Sequence, residues 1–213
     1  MKTTRTQLLQ DLKTAIMKGD AEETAHLIEQ GLKNSLSSEE IMDNVLIPVS
    51  KRIAEKFRGS DFYIPDVLFA VRPIKTGLAV LKDLSSPPVK HPSKVVVATV
   101  AGDIHDIGKN LVAIFLQVNG YPVIDLGVDV PAEQIIQAVE EHQPVFIALS
   151  SLLTTTMGEM AKVIEMLETN RLRRSVKVIV GGGPVSENFA EFIGADGYSP
   201  HAPDIIDLVN KLL

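Results

Sequence analysis

The chain contains no cysteine, which excludes disulfides, thiolate nucleophiles and thiolate zinc sites together. No apolar run approaches the roughly 20 residues that span a bilayer, so no membrane partner is expected. The opening residues, MKTTRTQLLQDLKTAI, lack the apolar core and cleavage site of a signal peptide, and the expected location is cytoplasmic. Basic residues are outnumbered as well: 21 Lys and Arg against 27 Asp and Glu give a formal net charge of −6. A nucleic-acid partner would want a basic face, so none is expected. What is present is ordinary for a globular protein, with 45% hydrophobic and 23% charged residues. A chain of 213 residues can bury one large core or two modest ones.

The two parts of the chain follow different patterns. Residues 1–84 read as helices only. Leu8, Leu12 and Ile16 recur at helical spacing before Gly19. Asp20 with Glu23, and Ser37 with Glu40, carry the spacing of capping boxes, and Gly31 and Gly59 read as helix ends. A fourth helix follows in IPDVLFAVRPIKTGLAVLKDL, where Pro65 suits the first turn and Pro73 predicts a kink. Residues 85–94, SSPPVKHPSK, read as a linker. From Val95 onward, five apolar strand-like runs alternate with helix-like runs to residue 213. Strands apolar on both faces are sandwiched between helices. The predicted fold is therefore α/β: a flavodoxin-like, doubly wound, five-stranded parallel sheet of order 2-1-3-4-5, preceded by a small four-helix bundle cap.

In such a sheet ligands bind beyond the carboxyl ends of the strands, where connections diverge. Three loops expected there are chemically rich. The first, in VVVATVAGDIHDIGKN, carries Asp103, His105 and Asp106. These residues read as turn and cap residues, as a His–carboxylate metal site, or as a general-base pair. The second, SSLLTTT, concentrates hydroxyls at Ser150, Ser151 and Thr154 to Thr156; Thr154 or Thr155 suits a helix cap. The third is Gly181, Gly182, Gly183 and Pro184, where bare backbone lets a ligand approach closely. The loop GVDVP after the second strand is poorer. His26, His91 and His142 read as surface residues.

Taken together, these loops resemble the signature of cobalamin-binding domains: D-x-H-x-x-G, then S-x-L, then G-G. Asp103, His105 and Gly108 match the first part, Ser150 and Leu152 the second, Gly181 and Gly182 the third. Between them lie 41 residues from Gly108 to Ser150 and 28 from Leu152 to Gly181, counting residues 109–149 and 153–180. The likeness is greatest to the corrinoid proteins of methylamine, methanol and aryl methyl ether methyltransferase systems and to the matching region of methionine synthase.

The resemblance implies cobalamin, or methylcobalamin, bound with its dimethylbenzimidazole tail displaced and with His105 as the axial ligand to cobalt. Asp103 would orient that imidazole, and Thr156 would continue the relay. Gly102, Ile104, Asp106 and Gly108 would lie against the cofactor. Ser150, Leu152 and Thr154 would also touch it, with Gly181, Gly182 and Gly183 lining the slot for its tail and Tyr198 and Ala202 beside it. Tyr63, Val67 and Val71 in the cap would cover the upper face, although a bundle core predicts the same spacing. The implied function is methyl carriage on cobalt from a substrate-specific methyltransferase to a second methyltransferase. That second enzyme would use tetrahydrofolate or coenzyme M, and a reductive activator would serve oxidised cobalt. The chain would be a transferase component, not an enzyme by itself. The alternative is a cobalamin-dependent sensor or regulatory module.

Overall fold

A computed structural model describes residues 4–58, 64–85 and 89–213. Tyr63, the expected helix end at Gly59 and the middle of the linker lie outside the described residues. The chain forms two compact units, one running to Lys90 and including Gln117–Gly120, the other comprising His91–Leu116 and Tyr121–Leu213.

The first unit is helical. Helices α1 (Arg5–Met17) and α2 (Ala21–Lys33) pack together, and α2 also packs on α5 (Ile64–Leu84). Between them run α3 (Ser38–Ile41), a π-helical turn (Met42–Leu46) and α4 (Ile47–Arg58). One helix is expected over this stretch. The interruption sits just before Pro48, which has no N–H to donate and whose ring crowds the preceding turn. The wider turn, in which the Ile47 N–H donates to the Met42 carbonyl, accommodates it. The α5 helix continues through Pro73. At its opening, α2 has the Glu23 N–H donating to the Asp20 carboxylate at 2.9 Å. It passes through Gly31 rather than ending there, because Gly31 is a packing residue: a Cβ at that position would lie 3.0 Å from Leu36 Cδ1.

Both halves of the capping box at α3 are made: the Glu40 N–H donates to Ser37 Oγ at 3.1 Å, and the Ser37 N–H to Glu40 Oε2 at 3.0 Å. Ser37→Ala is expected to lower stability by about 1 kcal/mol, read as a shifted urea midpoint at unchanged m-value.

The second unit is the predicted parallel sheet, in the order β2-β1-β3-β4-β5. Its strands are β1 (Val95–Thr99), β2 (Val123–Asp125), β3 (Phe146–Ser150), β4 (Lys177–Gly181) and β5 (Gly197–Ser199). Helices α6 (Ile107–Val118), α7 (Ala132–His142), α8 (Gly158–Thr169), α9 (Glu187–Phe192) and α10 (Ile205–Leu212) connect and follow them. All of β1 is buried, as its unbroken β-branched run requires. On one face Val96, Ala98, Ile147, Leu149, Val178 and Val180 join Ile135, Val139, Met160, Val163 and Leu167 in a single apolar cluster. Alternation sends Val95, Val97, Phe146 and Ile179 to the opposite face, where they too are buried. The register aligns Thr99 with Ser150, Ser150 with Gly181 and Gly181 with Ser199. A row of small and hydroxylated residues thus crosses four strands at their carboxyl ends.

Candidate functional site

That edge carries the loops after β1 and β3. The first loop is anchored by its own strand: the Thr99 hydroxyl donates to the His105 carbonyl at 2.9 Å. It brings Asp103 under the second loop with no solvent exposure. Oδ1 of Asp103 accepts the His105 N–H at 3.0 Å and faces His105 Nδ1 at 2.7 Å. Oδ2 accepts the Leu152 N–H at 2.6 Å, the Leu153 N–H at 3.3 Å and the Thr156 hydroxyl at 3.3 Å. Burial pushes this carboxyl up, but the hydrogen bonds from His105, Leu152 and Leu153 outweigh it and hold it at about 2.

An ionised carboxylate only accepts hydrogen bonds, so Nδ1 of His105 is the donor. In the neutral imidazole Nε2 then keeps its lone pair. The ring is 47% exposed, and Ile104, Leu152 and Leu153 of the two loops and Ile107 at the start of α6 are exposed apolar residues. Among the described residues no group of three or more His, Cys, Asp or Glu can hold a metal ion. A single oriented imidazole therefore fits a metal that arrives with ligands of its own better than a site made of protein side chains alone.

Thr156 lies beside Asp103. Its Oγ1 lies 2.8 Å from Ser151 Oγ and donates within reach of the Leu153 carbonyl as well as Asp103. Ser151 is fully buried and was not assigned a role from sequence; the only hint was a second serine where the apolar strand ends. The Asn110 side-chain N–H donates to Asp106 Oδ2 at 2.9 Å, at the start of α6. Gly108 faces Ser150, a Cβ there lying 3.9 Å from Ser150 Oγ. Gly102 and Ile104 are exposed on the loop, as is Thr154 on the next.

One expectation, the helix cap, is corrected. Neither Thr154 nor Thr155 caps α8, whose N-cap is Met157 with no side-chain hydrogen bond; the hydroxyl that is used, on Thr156, turns back into the loop. Gly181 and Gly182 face protein backbone: a Cβ at Gly181 would lie 2.9 Å from the Ser199 carbonyl, and one at Gly182 would lie 1.9 Å from the Ser151 carbonyl. At Gly183 a Cβ would meet Leu152 Cδ1 at 3.1 Å. Tyr198 packs on the apolar cluster, on the face away from Ser150 and Gly181, because strand alternation gives that face to Ser199. Ala202 is half-buried in the short turn Ala202–Asp204. Val67 and Val71 are buried in the helical unit, and among the described residues of that stretch Leu68 and Phe69 are exposed apolar side chains. His91, read as a surface residue, stacks on Tyr121 with centroids 4.1 Å apart.

The family model described as a B12 binding domain matches residues 93–206, and a second model of the same description matches residues 8–82. A corrinoid protein of Desulfitobacterium hafniense is 38% identical over 212 residues, covering 97% of each chain. Trimethylamine corrinoid protein 1 of Methanosarcina acetivorans is 34% identical, again over 97% of each. The crystal structure of the methanol:cobalamin methyltransferase complex from Methanosarcina barkeri superposes with a TM-score of 0.79 at 28% identity. That match covers 98% of this chain and 80% of that one. The chain belongs to the B12-binding family of corrinoid proteins, and its cofactor is a cobalamin-type corrinoid.

Proposed function

We propose that this chain is a methyl-carrier subunit that presents a corrinoid to two methyltransferases in turn, with His105 as the axial ligand. The observation that carries the reading is the oriented, half-exposed imidazole of His105, held at Nδ1 by a fully buried Asp103. The corrinoid supplies a cobalt centre able to carry a methyl group; the chain supplies binding, orientation and proton placement. Asp103 keeps the His105 proton on Nδ1, so that Nε2 is the atom offered to the metal. The Leu152 and Leu153 N–H groups and the Thr156 hydroxyl donate to the far oxygen of Asp103, and Ser151 Oγ lies 2.8 Å from Thr156 Oγ1. Exposed apolar Ile104, Ile107, Leu152 and Leu153 would supply contact to the corrinoid, and half-buried Ser150 at the end of β3 would meet its nucleotide tail.

The relatives' names support the wider role, since they describe corrinoid proteins for methylamines and a methanol:cobalamin methyltransferase complex. By that likeness the partners are a substrate-specific methyltransferase, an acceptor methyltransferase using tetrahydrofolate or coenzyme M, and a reductive activator. Residues 1–84 are assigned as the cap, 85–94 as the linker and 95–213 as the cofactor domain.

Reconstitution with methylcobalamin tests the reading. The wild-type chain is expected to give the spectrum of imidazole-ligated cobalt with the cofactor's own base displaced, and His105→Ala to lose it and bind more weakly. The same base-on spectrum in both proteins overturns the ligand assignment.

A further inference from the structure

We infer that Asp129 is a positioning residue for His105, acting through the backbone of Asp103; the inference rests on the reading of His105 as axial ligand. Asp129 lies in the loop between β2 and α7, 24 positions beyond His105 by the numbering, and is an exposed residue. Its φ is +52°, a left-handed conformation that Asp tolerates better than most residues. In that conformation both its polar ends turn back on the first loop. The Gly102 N–H donates to Asp129 Oδ1 at 2.6 Å, and the Asp129 N–H donates to the Asp103 carbonyl at 2.8 Å.

These two bonds bracket the Gly102–Asp103 segment from either end. Gly102 has φ +78° and no side chain to restrain it, so the clamp fixes what the residue itself leaves loose. Asp103 hangs from the clamped segment, and its carboxylate is the partner of His105 Nδ1. The strap that carries Asp129 is itself tied down: the Val130 N–H donates to the Thr99 carbonyl and the Thr99 N–H to the Gly127 carbonyl, each at 3.0 Å. A displaced Asp103 would tilt the imidazole, and ligand orientation is what the residues behind a metal-binding imidazole control. An exposed residue that accepts a backbone N–H contributes little to a core, so its effect falls on the loop it holds.

The test uses the full chain with two substitutions. Asp129→Gly keeps the left-handed backbone and the N–H but removes the acceptor; Asp129→Asn keeps both. Each protein is loaded with cobalamin and reduced to cobalt(II), and the fraction showing nitrogen superhyperfine coupling is read by electron paramagnetic resonance. The cofactor-free proteins are compared by ¹⁵N NMR of the His105 ring. For Asp129→Gly the ratio of His-ligated to unligated cobalt is expected to fall about fivefold, the worth of one net hydrogen bond. In the cofactor-free state its ring should pass from one tautomer to a mixture, while Asp129→Asn retains wild-type behaviour in both measurements. Wild-type behaviour of Asp129→Gly in both measurements, or an Asn variant as defective as the Gly variant, overturns the inference. Absence of nitrogen coupling in the wild type itself overturns the assignment of His105 instead, and the cofactor-free NMR still decides the clamp.

Discussion

Gly182→Ala is expected to be the most damaging single substitution in the sheet unit, costing about 4 kcal/mol or more. The residue has φ +129°, which an L side chain resists at roughly 1–3 kcal/mol. The larger part comes from the neighbour: the added carbon would stand 1.9 Å from the carbonyl oxygen of Ser151 and 2.8 Å from its carbonyl carbon. Backbone atoms cannot swing aside as a side-chain end can, so the loops after β3 and β4 must separate. Because a domain's whole stability is about 5–15 kcal/mol, much of it would go. Two controls divide the effect. Gly127 has φ +92° with nothing within 4 Å, so Gly127→Ala isolates the backbone strain at about 1–3 kcal/mol. Gly183→Ala meets only the end of Leu152 and is expected to stay within about 1 kcal/mol. Urea unfolding of the cofactor-free proteins ranks the three, and a Gly182→Ala midpoint equal to that of Gly183→Ala would show that the loops are not in contact.

Asp103→Asn should come next, at about 2–4 kcal/mol, even though its shape is nearly that of aspartate. Both oxygens of Asp103 face donors: His105 N–H and Nδ1 on one side, Leu152 N–H, Leu153 N–H and the Thr156 hydroxyl on the other. An amide must turn its NH₂ to one of these sides. If it faces Leu152 and Leu153, two backbone donors are left unpaired at a buried position, each costing roughly 1–3 kcal/mol. If it faces His105, the ring must give up its Nδ1 proton and present the wrong nitrogen. Calorimetry reads the first consequence, and the ¹⁵N resonances of the His105 ring read the second. A variant with wild-type stability and wild-type tautomer would remove Asp103 from its place at the centre of the site.

Much of this site was legible because its parts lie close together in sequence or end a recognisable strand. Asp103 and His105 are two residues apart, and the apolar runs that stop before them place the loop at the sheet's carboxyl edge. The strand order followed from the alternation of apolar and helical segments. What escaped has physical reasons. Asp129 acts on Gly102 from 27 residues away through a carboxylate in an exposed loop, a position that composition marks as uninformative. Ser150 and Ser151 are adjacent hydroxyls in the sequence, yet alternation points the two to opposite sides, and it is Ser151 that reaches Thr156. The glycines of the third loop were read as room for a ligand; close backbone approach within the protein demands the same absence of Cβ. The same alternation governs Tyr198, whose ring joins the apolar cluster and leaves Ser199 toward Gly181. Pro48 shows a local cost resolved locally, by widening one turn of helix.

The two outermost strands, β2 and β5, span only three residues each. A border that short offers an incoming peptide few open backbone positions, too few to template a ladder. The sheet is thereby guarded at its rims against stacking edge to edge with copies of itself, while its long, fully occupied strands lie inside.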